Sequence, residues 1–150
     1  QRSDVDQNRI VIAGWSHGAW TAMDYLTFAV AGRKAPGVAD APTPRPAALV
    51  LFYPYCGEGA RSRFASFDFG GPTIAFIAGK DEVVDGPQCR ALLDKAAARG
   101  SDIELVYYED VNHVFDYRHL EGADRRYYSE TATIDAEQRF GAFLNKVAAL

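Results

Sequence analysis

The chain reads as a single α/β domain of three layers, with helices on both sides of a mostly parallel sheet, and three observations carry that reading. Short strand-like runs recur: Ile10 to Ala13, Ala47 to Tyr53, Thr73 to Gly79 and Ile103 to Tyr108. The runs at 47–53 and 73–79 have the length and content of strands buried on both faces of a parallel sheet, and 103–108 reads as a further interior strand. Helical periodicity separates the runs, and strands alternating with helices build βαβ units. Finally, 150 residues, 48% of them hydrophobic and 24% charged, suffice for one core and leave little for a second domain.

Taken in order, the first strand leads at once into a helix whose Ala19, Met23, Leu26 and Val30 recur at helical spacing on one face. Lys34 to Pro46 is rich in Pro, Ala and Gly and reads as an exposed connection. Pro54 ends the second strand. The stretch from Cys56 to Gly71 carries Phe64, Phe67 and Phe69, which suit either a loop over a pocket or plugs for the core. After the third strand and Lys80-Asp81-Glu82, a helix runs from about Pro87 to Arg99, with proline at its start and Gly100 just past its end, the usual asymmetry of helix termini. The fourth strand opens into Val111-Asn112-His113-Val114-Phe115-Asp116. A last helix over roughly 131–149 lines up Ala136, Phe140, Phe143, Leu144 and Val147 as a buried stripe. No internal repeat or low-complexity segment interrupts the pattern.

Composition narrows the partners. A net charge of −4 disfavours a nucleic-acid partner, which calls for clustered positive charge. The local basic pairs Arg61/Arg63 and Arg125/Arg126 read as solvated surface. No run has the length of a membrane span, so a soluble protein is expected, in a compartment left open, with the cytoplasm favoured over the periplasm. Cys56 and Cys89 are too few for a disulfide scaffold or a paired zinc site, and read first as small buried thiols. Adjacent parallel strands would also bring them together as a disulfide, which would imply an oxidising compartment. The chain begins at Gln1 and delivers its key turn on the first strand, so it is expected to be the C-terminal part of a longer protein whose N-terminal strands are missing here. The edge at 9–13 then suits pairing with a second copy or with that preceding part.

The chemistry concentrates where the first strand ends, in Gly14-Trp15-Ser16-His17-Gly18. A strand that turns at once into a helix forces Ser16 into a strained backbone conformation with its hydroxyl exposed. Gly14 and Gly18 are expected because a Cβ at either would crowd the turn. The same geometry leaves the His17 N–H at a helix start, aimed where a tetrahedral oxyanion would form.

A serine hydroxyl needs an imidazole to take its proton and a carboxylate to orient that imidazole. Of three histidines, His17 adjoins Ser16 but points away from it, and His119 lies in a charged, solvated stretch. His113 remains, in a loop past the fourth strand, on the carboxyl edge where open parallel sheets bind ligands. Its ordinary pKa, near 6.5, suits a general base. For the acid, Asp81 directly follows the third strand and gives the chain order Ser, Asp, His. Asp85 and Glu82 are rivals. Asp110 and Asp116 flank His113 too tightly to reach its far nitrogen, and Asp116 reads as a stabiliser of the loop.

With Phe-Tyr-Pro-Tyr-Cys56, Ala-Gly-Lys-Asp81 and Asn-His113-Val-Phe beside the serine turn, the chain from about Arg9 onward resembles the dienelactone hydrolase-like branch of the α/β-hydrolase superfamily. The resemblance implies the C-terminal portion of that fold and a catalytic Ser16, Asp81 and His113, with the His17 N–H in the oxyanion hole. It implies a small-molecule ester or lactone as substrate, hydrolysed through an acyl-enzyme without cofactor or metal. Dienelactone hydrolases proper carry cysteine where this chain has Ser16. The serine turn also resembles that of prolyl-oligopeptidase-type peptidases, which share the fold and the order of residues. A non-catalytic α/β or dimerisation module is the remaining reading, since fold alone confers no function.

Overall fold

A computed structural model of the chain describes residues 3–6, 8–30, 32, 45–63 and 67–149. Four parallel strands, β1 (Val11–Trp15), β2 (Ala48–Phe52), β3 (Thr73–Ala78) and β4 (Ile103–Tyr108), lie side by side in chain order. Helix α1 (His17–Val30) follows β1, α2 (Gly86–Ala97) joins β3 to β4, and α3 (Glu130–Ala148) closes the chain. Two 3₁₀ turns, Arg61–Arg63 and Gly122–Tyr127, lie outside the sequence reading. Most of the expected connection at 34–46, Phe64 and the side chains of Val30 and Arg126 lie outside the described residues.

The layers follow from strand periodicity. Successive side chains of a strand point to opposite faces, so one continuous apolar run supplies two cores. Leu49, Leu51, Ala75 and Ile77 pack against Met23 and Leu26 of α1 and Leu93 of α2. Ala48, Val50, Phe52, Ile74, Phe76 and Ala78 pack against Ala132, Ala136, Phe143 and Val147 of α3. Right-handed crossovers between strands that advance steadily across a sheet all fall on the same face. Hence α1, α2 and the β2–β3 connection share a side, and α3 covers the other. Phe67 and Phe69 of that connection are core plugs, each 2% exposed.

The ends of the elements have local causes. Asp85 caps α2, its carboxylate accepting the Gln88 N–H at 2.9 Å, and Pro87 occupies the first turn. Gly100 takes up a positive φ of 99° just beyond the helix, as a terminating glycine does. Ser129 caps α3 and accepts from the Ala132 N–H.

One expectation about the cysteines is corrected. Both are buried, but they are not thiols: Cys56 and Cys89 form a disulfide, their Cα atoms 5.1 Å apart. The parallel order places the exit of β2 beside the first turns of α2, and the bridge ties the two together.

Candidate active site

The register β1–β2–β3 levels Trp15, Phe52 and Phe76 across the carboxyl edge of the sheet, so Ser16 and Tyr53 each lie one step beyond it. Ser16 has φ 50°, a left-handed conformation costly for any residue with a Cβ. Its N–H donates to the Phe52 carbonyl at 2.9 Å, and its own carbonyl accepts from Trp20 in the first turn of α1. The chain is thus pinned to sheet and helix with the hydroxyl between them. Gly14 makes the crossing feasible: a Cβ there would come within 2.6 Å of the Ala19 backbone nitrogen. Gly18 does not meet the expectation placed on it, because a Cβ at that position has open space around it.

His113 must travel to reach Ser16. Strands in a sheet lie about 4.8 Å apart, so β4 stands roughly 14 Å from β1. The loop after β4 makes that journey across the top of the sheet. The Val111 carbonyl accepts from the Lys80 N–H at 2.9 Å, just past β3. The Asn112 side-chain oxygen accepts from Glu82 N–H at 2.8 Å and from His113 N–H at 2.7 Å, joining this loop to the one that carries Asp81. Farther on, Asp116 accepts from the Tyr53 hydroxyl at 2.6 Å and from the Trp15 indole at 2.7 Å, the ends of β2 and β1.

The journey ends with His113 Nε2 2.9 Å from Ser16 Oγ and Nδ1 2.7 Å from Asp81 Oδ2. The side chain of Asp81 is fully buried and that of His113 is 6% exposed. The other oxygen of Asp81 accepts the backbone N–H groups of Val83 and Val84 at 2.9 and 2.8 Å, so the carboxylate cannot turn away. An ionised carboxylate only accepts, so the proton belongs on Nδ1, and Nε2 is left to accept from the serine. Ser16, Asp81 and His113 are therefore brought together. Asp85 is occupied as a helix cap, Glu82 lies beside the Tyr127 hydroxyl at 3.0 Å, and Asp110 pairs with Lys80 at the surface. His119 is exposed, edge-on to Tyr117, and the His17 ring leans on Trp20 rather than on Ser16.

Comparisons with known proteins place the chain in a family and a fold. The profile of the dienelactone hydrolase family matches residues 1–148. The chain belongs to the dienelactone hydrolase family. That family is one of α/β-hydrolase enzymes, and solved structures show the same fold. The carboxylesterase Cest-2923 from Lactobacillus plantarum superposes with a TM-score of 0.72 at 16% identity, over 95% of this chain and 60% of its own. A dienelactone hydrolase described as putative, from Klebsiella pneumoniae, gives 0.69 at 19%, over 96% and 55%. An esterase from Thermogutta terrifontis with propionate bound gives 0.64 at 20%, over 92% and 56%. The chain spans little more than half the length of these structures. No curated protein sequence matches it.

Within this member of the dienelactone hydrolase family, a cavity of about 320 Å³ opens beside Ser16, lined by His17, Trp20, Tyr55, Glu58 and Val84. Its outer wall is the segment after β2, held from two sides. The disulfide ties Cys56 to α2, and Asp24 of α1 accepts the N–H groups of Arg61 and Ser62 at 2.7 and 3.1 Å. Tyr55 also packs edge-on against Trp20 at 5.0 Å between ring centres.

Two residues of the site went unassigned in the sequence. Tyr53 has φ 37° and lays its ring 4.6 Å from that of His113, centre to centre. Burial first, and then its hydrogen bond to Asp116, pushes the Tyr53 phenol well above the ordinary tyrosine range, so it stays protonated. Asn112 is the other, a side chain that joins two loops. Their shared signal was position: Tyr53 directly follows the end of β2, and Asn112 directly precedes His113 in the loop after β4. Among the described residues, no cluster of three or more His, Cys, Asp or Glu side chains is arranged to hold a metal ion, and no helix is long and apolar enough to cross a membrane.

Proposed function

We propose that this chain carries the hydrolytic centre of a serine esterase that cleaves carboxylic esters or lactones through an acyl-enzyme. The observation that carries the reading is the unbroken hydrogen-bond chain from Ser16 Oγ through His113 to Asp81, at 2.9 and 2.7 Å. Both contacts lie within the reach required of a nucleophile, its base and the group that orients the base. A non-catalytic module gives no reason to place these three groups in line at a strained turn.

In the proposed reaction, His113 Nε2 takes the hydroxyl proton as Ser16 Oγ attacks the carbonyl carbon. Asp81 holds the imidazole in the needed tautomer and stabilises the imidazolium. The His17 N–H, first in helix α1, donates to the developing oxyanion; one such donor contributes about 3–4 kcal/mol to the transition state. His113 then returns the proton to the leaving alkoxide. A water, deprotonated by the same nitrogen, attacks the acyl-enzyme and releases the acid. The cavity between Trp20, Tyr55 and Val84 suits a small apolar acyl or alcohol portion, in keeping with the propionate held by the Thermogutta esterase. The disulfide supports an oxidising compartment over the cytoplasm that composition favoured.

The test is covalent labelling. A fluorophosphonate should modify the protein at Ser16, and Ser16→Ala should lose both labelling and turnover of a chromogenic ester. Labelling that survives in Ser16→Ala would sink the assignment.

A further inference from the structure

We propose that Asp116 is a positioning residue: by gripping the Trp15 indole and the Tyr53 hydroxyl together, its carboxylate sets the distance between Ser16 and His113. The proposal rests on the hydrolytic reading of those two residues, and concerns how they are kept in register.

The loop that delivers His113 starts at β4, the strand farthest from Ser16. Its contacts with Lys80 and Glu82 fix it only as far as the exit of β3. Asp116 supplies the remaining span, with one oxygen 2.6 Å from the Tyr53 hydroxyl and the other 2.7 Å from Trp15 Nε1. Trp15 is the residue before the nucleophile, and Tyr53 provides the surface on which the imidazole rests. One carboxylate thereby ties the serine turn, the floor under the base and the loop of the base itself.

The chemistry suits a carboxylate. Both neighbours donate to it, the Trp15 indole because an N–H only donates and the Tyr53 hydroxyl because it stays protonated, and two acceptor oxygens take both without either donor changing role. An amide would turn its NH₂ toward one of them. The second face of the loop is already held: Phe115 is fully buried, and its carbonyl accepts from the Ser129 N–H at 2.9 Å and the Thr133 hydroxyl at 3.0 Å. Between those anchors, Val114 is forced to φ 53°, a conformation rare for a β-branched residue. Strain of this kind persists only where the surroundings over-determine it. Asp116 is the tether on the Ser16 side.

The experiment compares Asp116→Asn, Tyr53→Phe, Trp15→Phe and the double variant Tyr53→Phe/Asp116→Asn in the full-length protein. The phenylalanines keep the ring contacts with His113 and Phe52 while removing one donor each. The readouts are fluorophosphonate labelling rate, kcat and KM on a chromogenic ester, melting temperature, and the low-field proton resonance of His113 Nδ1–H.

A misplacement near 1 Å lowers rates by about 100-fold. Asp116→Asn should therefore slow labelling and kcat by roughly 10- to 100-fold, with KM and melting temperature little changed. Tyr53→Phe and Trp15→Phe should lose less, and the double variant should lose no more than Asp116→Asn alone. The proposal is overturned if Asp116→Asn labels at the wild-type rate, if its loss lies wholly in KM or in melting temperature, or if the two losses multiply. Should the unaltered protein neither label nor turn over, the esterase reading fails instead. The His113 resonance then decides the role of Asp116: broadening or loss in Asp116→Asn supports it, and an unchanged signal overturns it.

Discussion

The middle of the sheet and its carboxyl edge are built on opposite principles. In β2 and β3 every residue is buried, and the partners are other apolar side chains. At the edge, a few ångströms away, the backbone takes positive φ at Ser16, Tyr53 and Val114, the three non-glycine residues to do so among those described. The contacts there are short, directional hydrogen bonds accepted by Asp81, Asn112 and Asp116. Hydrophobic burial is non-directional and scales with area, so it can hold a sheet together but cannot aim a hydroxyl at an imidazole. The aiming is done by strained backbone and by acceptors with fixed lone pairs. Stability should therefore reside in the middle, and reactivity at the edge.

Asp81→Asn gives the largest effect expected of a change at the edge that leaves the serine in place. The side-chain oxygen of asparagine can still accept from Val83 and Val84, but its NH₂ would face His113 Nδ1 and hold the proton on Nε2. Nε2 could then no longer take the serine proton. A substitution of this kind lowers kcat by about 10⁴-fold while the structure survives. Steady-state turnover and a thermal melt, measured on one sample, should show the first collapse and the second hold. A melting temperature that falls as far as activity does would erase the distinction between the two regions.

Phe76→Ala reverses the pattern. Phe76 is fully buried, stacked on Phe52 with ring centres 4.5 Å apart, and its removal leaves a cavity in the α3-side core. The expected loss is about 3–5 kcal/mol. At about 2–4 °C per kcal/mol for a domain of this size, the shift is easily seen in a melt. Labelling per folded molecule should remain near that of the unaltered chain, because the edge is held by its own hydrogen bonds.

The same contrast explains what could be read from the residues alone. The strands were legible, since runs such as Thr73 to Gly79 announce burial on both faces, and α2 was legible from Pro87 and Gly100. Ser16, Asp81 and His113 were legible as strand-end residues, because an open parallel sheet presents those positions on one edge. The tethers were not. Asp116 follows β4, two and three strands away from the β2 and β1 ends it grips, at separations of 63 and 101 residues in the chain, and no local pattern records such a pairing. The disulfide was foreseen only as an alternative to two buried thiols, because strand order brings the two segments together but does not say whether their Cα atoms stand 5.1 Å apart.

The two glycines that flank the serine give the smallest and sharpest contrast. They appear equivalent in the motif, yet a Cβ at Gly14 would collide with backbone atoms of Gly18 and Ala19, while one at Gly18 meets nothing within 4 Å. Backbone cannot rotate aside as a side chain can, so Gly14→Ala must push β1 and α1 apart, a form of overpacking that destabilises by about 1–3 kcal/mol and displaces Ser16 as well. Gly18 sits in the first turn of α1 with ordinary helical geometry. Replacing it by alanine removes only the excess freedom of the unfolded chain, a gain of up to about 1 kcal/mol. Melting temperature and labelling rate should thus fall together for Gly14→Ala, while Gly18→Ala keeps its labelling and its melting temperature stays level or rises. If Gly18→Ala disables labelling while leaving the melt intact, the second glycine serves the approach of a substrate or of another chain segment and not the turn, and the boundary of the reactive edge extends past Ser16 into the helix.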